Sequence, residues 1–179
     1  MATYCFKGKG PALPYDSMFA VLRRSINLAT LISTDYGKLA LASAPTVSLS
    51  SFTGFVQNDI LEIFEVPAGT LIVGAGVNVL TAEGATAAAT MGYNSATQTQ
   101  LGVAGAATDP NAYGTFDLNS ETCQHEGAVA AGGAFGGFAD CYVTDGSIDM
   151  TFTTNDTYAV AAFNVWAVVA RAFEPVTSQ

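Results

Sequence analysis

The stretch Ser147–Arg171 (SIDMTFTTNDTYAVAAFNVWAVVAR) restricts the fold more than any other part of the chain. From Ser147 to Thr154 it alternates with a period of two, which places Ile148, Met150 and Phe152 on one face of a strand and Asp149, Thr151 and Thr153 on the other. Asn155-Asp156 supplies a turn. The run from Thr157 to Arg171 is then apolar on both faces. Periodicity alone would allow a buried helix there, but Val160, Phe163, Val165, Trp166, Val168 and Val169 are β-branched or aromatic and suit a pleated surface. A strand buried on both faces belongs at the centre of a sandwich.

Other segments repeat the β pattern. Asp59–Val66 (DILEIFEV) ends at Pro67-Ala68-Gly69, where proline presets φ and glycine permits positive φ. Thr70–Leu80 follows, with Leu71, Val73, Ala75, Val77 and Val79 expected on one face and Ile72, Gly74, Gly76, Asn78 and Leu80 on the other. Shorter alternations occupy Lys38–Ala42 and Thr46–Ser50. Ten of the 18 glycines lie between Gly92 and Gly146, so that region is expected as broad loops joining short strands near Ala87–Tyr93, Tyr113–Leu118 and Cys141–Val143. Met18–Ile32 is ambiguous: Phe19, Leu22 and Ile26 have helical spacing, while Arg24, Ile26 and Leu28 alternate, and a strand or arm is slightly preferred. No alternation of strands with long amphipathic helices occurs. The expected fold is all-β, an antiparallel β-sandwich with an extended N-terminal arm and long Gly-rich loops.

Charge divides the chain. The net charge is −9, yet five of the six basic residues (Lys7, Lys9, Arg23, Arg24, Lys38) lie in the first 38 positions against Asp16 and Asp35, a local +3. Beyond them Arg171 faces thirteen acidic residues, a local −12. Residues 1–36 are therefore expected to form a basic docking segment and residues 37–179 the sandwich. Only 12% of residues are charged, about half the share usual for a soluble domain. Thr, Ser, Asn and Gly must supply much of the polar coat, with further surface hidden against copies or partners. The acidic balance argues against direct nucleic-acid binding, which needs clustered Lys and Arg. Neither a signal peptide nor an apolar run of bilayer-spanning length is expected.

Reaction chemistry finds little support. His125 is the single histidine, and its spacing to Cys123, Asp140 and Cys141 matches no established zinc pattern. Nucleophile-elbow and phosphate-loop motifs are absent. Asp140, Asp145 and Asp149 lack EF-hand spacing. No enzyme, metal or cofactor is expected. Cys5, Cys123 and Cys141 are too few for a disulfide framework, and reduced thiols in a protein assembled in a cytoplasm are expected, with a Cys123–Cys141 bridge left open.

Two segments carry a family resemblance. DILEIFEVPAGTLIVGAGVNVLTAEG (Asp59–Gly84), continued to Tyr93, and the strand-turn-strand Ser147–Arg171 together resemble small virion proteins of tailed bacteriophages, specifically jelly-roll head decoration or cement proteins. The resemblance implies a capsid protein on the virion surface, binding the major capsid protein and identical copies as a homotrimer, with no membrane partner. On that basis Lys7, Lys9, Arg23, Arg24 and Lys38 are the expected shell-docking residues. Tyr113, Phe135 and Phe138, aromatic rings on the loops, are the expected self-association residues. A tail-fibre or receptor-binding appendage is the alternative, and a cupin-like enzyme is disfavoured by the lone histidine.

Overall fold

The structure is a computed structural model that describes residues 2–6, 19–34, 39–41, 49, 52–84, 86–93, 98–100, 109–126, 140–142, 144–155 and 157–171. Twelve strands and one short helix follow one another: β1 (Thr3–Phe6), β2 (Phe19–Asn27), α1 (Leu28–Ser33), β3 (Leu39–Leu41), β4 (Ile60–Val66), β5 (Thr70–Thr81), β6 (Ala88–Tyr93), β7 (Gln98–Gln100), β8 (Asp109–Asp117), β9 (Cys123–Glu126), β10 (Asp140–Tyr142), β11 (Gly146–Phe152) and β12 (Ala162–Arg171). One sheet has the order β3-β1-β4-β11-β6-β8; the other runs β2-β12-β5-β10-β7, with β9 also on β5. This is an all-β sandwich, as the alternation requires.

The connectivity reads as one long hairpin folded in half. β2 pairs β12, β4 pairs β11, β5 pairs β9 and β10, and β6 pairs β8, each antiparallel, so early strands meet late ones in nested order. Rolling this ribbon up brings β12 against β5 and β11 against β6. The apolar run that opened the sequence argument thus lies between β2 and β5, in the middle of its sheet. Its burial alternates, with Phe163, Val165, Ala167 and Val169 fully buried and the residues between them half-buried. Both of its faces are covered, but unequally.

A single core joins both sheets. Tyr4, Phe52, Phe55, Phe152 and Tyr158 form a chain of aromatic contacts with ring centroids 4.5–5.1 Å apart, each pair stabilising by ~1 kcal/mol beyond burial. The buried Tyr158 hydroxyl donates to the Ala88 carbonyl at 2.8 Å, which removes the cost of an unmade hydrogen bond inside the core. Asn27 caps α1, its side-chain oxygen accepting from the Thr30 amide at 2.9 Å. The Pro67–Gly69 turn forms as expected: Gly69 has φ 79°, which a side chain would strain, and its amide donates to the Tyr142 carbonyl at 2.6 Å. Glu83 fixes the loop before β12 by accepting from the amides of Ala159, Val160 and Ala161 at 2.8, 2.7 and 2.5 Å.

Several expectations change. β5 does not keep one face throughout, because its register against β12 slips between Ile72 and Gly74. The extra residue, Val73, is a bulge that exchanges the faces, so Ile72 is buried and Val73 exposed, while Ala75, Val77 and Val79 point inward as expected. Asp149 and Thr151, expected in solvent, are 3% and 9% exposed. The N-terminal segment is not a separate unit where it is described. β1 pairs β3 and, in parallel, β4, while β2 pairs β12 over nine residues. A boundary at residue 36 therefore gives way to N-terminal strands built into both sheets. β7 and β9 had no expected strand.

Candidate docking surface

The two inner faces make one apolar core, so chemical differences lie on the outer faces. Cross-strand register assembles the outer face of the β2-β12-β5 sheet row by row. Val21 lies beside Val168 and Gly74; Arg23 beside Trp166 and Gly76; Ser25 beside Asn164 and Asn78. Phe19 and Val21 are 58% and 59% exposed, an unusual outlay for apolar residues on a sheet. Val73 and Leu80, at the two register slips of β5, add to the exposed apolar surface. The Ser25 hydroxyl donates to Asn164 Oδ1 at 2.6 Å and edges the patch with a polar pair.

Trp166 is held flat. Its indole lies across Gly76, where a methyl group would sit 2.6 Å from Trp166 Cε2 and 2.7 Å from the Gln124 carbonyl oxygen. Only glycine leaves that room. The sequence reading treated Trp166 as a core residue because the strand is apolar on both faces; its half-burial and the glycine beneath it place it outside. The sequence signal is the pair of glycines at 74 and 76, since glycine within a strand leaves room for a close approach without saying what approaches.

The outer face of the other sheet is acidic. Glu62 and Asp149 are direct cross-strand partners of β4 and β11, and Glu65 lies beside Ser147. Glu62, Glu65, Val66, Pro67, Asp145, Gly146 and Ser147 line an open cleft of about 550 Å³. Asp145 Oδ1 accepts from the Ala68 amide at 2.9 Å and ties the two loops at its end. Burial pushes the Glu62 carboxyl above the usual glutamate range, and the charge of Glu65 pushes it further in the same direction. Among the described residues, no group of three or more His, Cys, Asp or Glu is arranged to hold a metal ion. No helix among the described residues is long and apolar enough to cross a membrane.

The expected site residues separate. Arg23 is exposed on the outer face of β2. Arg24 occupies the inward row with Val165 and Val77 and is half-buried. Burial lowers its pKa and Glu65 opposes that shift, so this guanidinium serves the acidic strand β4 of its own molecule. A charge turned inward on an edge strand also discourages pairing with foreign strands. Tyr113, expected as an exposed ring, is 1% exposed, with its hydroxyl 3.3 Å from that of Tyr142 and its ring beside Tyr93. It is a core residue, because β8 begins earlier than the loop reading allowed. Lys7, Lys9, Lys38, Phe135 and Phe138 lie outside the described residues. Cys123 is an exposed free thiol. It registers with Asn78 while Cys141 registers with Leu71, on the same edge of β5. Seven positions of strand separate those rows by roughly 20 Å, far beyond the ~7 Å limit between bridged Cα atoms. A Cys123–Cys141 disulfide does not form in this fold.

No protein-family model and no curated relative matches the chain. Among solved structures, a chain of the capsid of Ralstonia phage GP4 is similar over 93% of this chain and 93% of its own length, with a TM-score of 0.55 and 14% identity. The shared property is the fold. Chains from the acidic stable capsid of Helicobacter pylori bacteriophage KHP30 and from the cyanophage Pam1 capsid asymmetric unit are 8% and 13% identical. They cover 88% and 92% of this chain and 90% and 92% of their own lengths. Their TM-scores of 0.45 and 0.44 are too low to argue from.

Proposed function

We propose that this chain is a structural protein of a bacteriophage virion, a decoration or cement protein on the outside of the head that stabilises the shell. The supporting observation is the likeness of fold to a chain of a phage capsid, which spans 93% of both molecules. The nested strand order supports a jelly roll: β2-β12-β5-β9 faces β4-β11-β6-β8, two Greek keys rolled from one ribbon.

The work on this reading is mechanical. A decoration protein bridges neighbouring shell subunits through several modest contacts, and multivalency makes them hold. Such a protein needs a rigid body, apolar anchors and few charges at the contact, and the β2-β12-β5 face offers these. Arg23 supplies docking charge on that face, and Lys7 and Lys9, which follow β1 in the chain, are proposed as further docking residues. Lys38 belongs to the same proposal, as do Phe135 and Phe138 for contact between copies and a homotrimer as the assembled form. The test is copy number and site. Purified particles should carry this chain in tens to hundreds of copies on the head, and shells assembled without it should bind it from solution. A few copies at the tail would replace this reading with an appendage domain.

A further inference from the structure

We propose that the outer face of the β2-β12-β5 sheet, centred on Trp166 and Arg23, is the docking surface, and that its partner presents carboxylates set among apolar side chains. This rests on the virion reading and names the face and the chemistry it uses. Exposed apolar residues scattered over a surface mean little, but here Phe19, Val21, Val168 and Trp166 share one face of two adjacent strands. Trp166 is already pinned across Gly76, so little rotamer freedom is lost when a partner covers it. A tryptophan fixed at the centre of an apolar patch and flanked by arginine has the composition of an interface hot spot.

Charge selects the occupant. In the three rows that pass through Val21, Arg23 and Ser25, the charged side chain contributed by β2, β12 and β5 is Arg23, whereas Glu62, Glu65 and Asp149 lie on the opposite sheet. An acidic partner is attracted to the first face and repelled by the second. A second copy is a poorer occupant. Face to face it would set Arg23 against Arg23. Head to tail, with Arg23 meeting the acidic cleft of the next copy, it would close into a ring or run on as a filament, and the oligomeric state in solution tells that occupant apart.

The experiment measures binding of the full chain to shells assembled from the particle's major capsid protein alone. Trp166→Ala, Val21→Ser, Arg23→Glu and Arg23→Lys are compared with the unsubstituted chain, with circular dichroism and melting to verify folding. Trp166→Ala should weaken binding at least ~30-fold, the scale of a hot-spot truncation. Val21→Ser, at a position too exposed to matter for folding, should weaken it severalfold. Arg23→Glu should cost ~10-fold at low salt and less at high salt, with partial rescue by lysine. Folded Val21→Ser and Arg23→Glu variants that bind shells like the parent would overturn the proposal while leaving the virion reading standing. If the parent chain does not bind shells, the decoration reading itself falls. Variants that change the oligomeric state in solution instead of shell binding would overturn it in favour of a second copy.

Discussion

The two sheets carry outer faces of different kinds on inner faces of the same kind. Inside, Val165, Ala167 and Val169 of β12 meet a core that Leu61, Ile148 and Met150 of the other sheet complete. Outside, one sheet shows Phe19, Val21, Trp166 and Arg23, and the other shows Glu62, Glu65 and a cleft that Asp145 helps to line. The inner faces are alike because the hydrophobic effect allows nothing else in a sandwich. Folding places no such demand on the outer faces. The difference leaves one outer face apolar with Arg23 upon it and the other acidic, with Glu62 half-buried and Glu65 exposed.

The strongest way to break that contrast is to carry acid onto the apolar side. Val21→Asp should abolish detectable shell binding, a loss of ~100-fold or more, because a carboxylate would be buried against an acidic partner and would take Arg23 away from it. The fold should persist, since Val21 is 59% exposed; a shell titration with a parallel melt checks both. A smaller effect is expected from Gly76→Ala, whose methyl would lie 2.6 Å from Trp166 Cε2 and dislodge the indole. Binding should fall ~10-fold and stability by ~1–2 kcal/mol, measured by titration and by urea unfolding.

The acidic side should respond in stability rather than in docking. The Glu62 carboxyl is raised above its ordinary value by burial and by Glu65. Between the unfolded and folded pKa values the native state holds the extra proton, so stability rises as pH falls through the window just above the ordinary glutamate range, and is lost again as pH increases. Glu62→Gln should slightly raise the melting temperature at neutral pH, flatten that pH dependence and leave shell binding within about twofold. Melting curves from pH 4 to 8 test the sign.

Much of the fold was legible because alternation is a local property. The strands β4 and β11, the turn at Gly69 and the central position of β12 follow from residue order and turn chemistry, whereas the pairing of β4 with β11 does not. What failed depends on long-range register. A one-residue bulge at Val73 reverses the face of the start of β5, and nothing in LIVGAG marks where it falls. β7 and β9, with the sequences QTQ and CQHE, are held by their neighbours rather than by propensity. Of the cations expected to dock, Arg23 lies on the outer face of β2 while its neighbour Arg24 points inward, a distinction that one position of strand phase decides. Trp166 was legible as part of a strand and illegible as a surface residue, because its outward row depends on Gly76 and β2 supplying its surroundings.

The account turns on which face meets the shell, and a cryo-electron microscopy map of the intact particle at side-chain resolution measures that directly. The expected result is density for this chain on the outside of the head, with Trp166, Val21 and Arg23 against the shell and Glu62 and Glu65 facing solvent. A map with the acidic cleft buried in the contact and the Trp166 face open to solvent would contradict it.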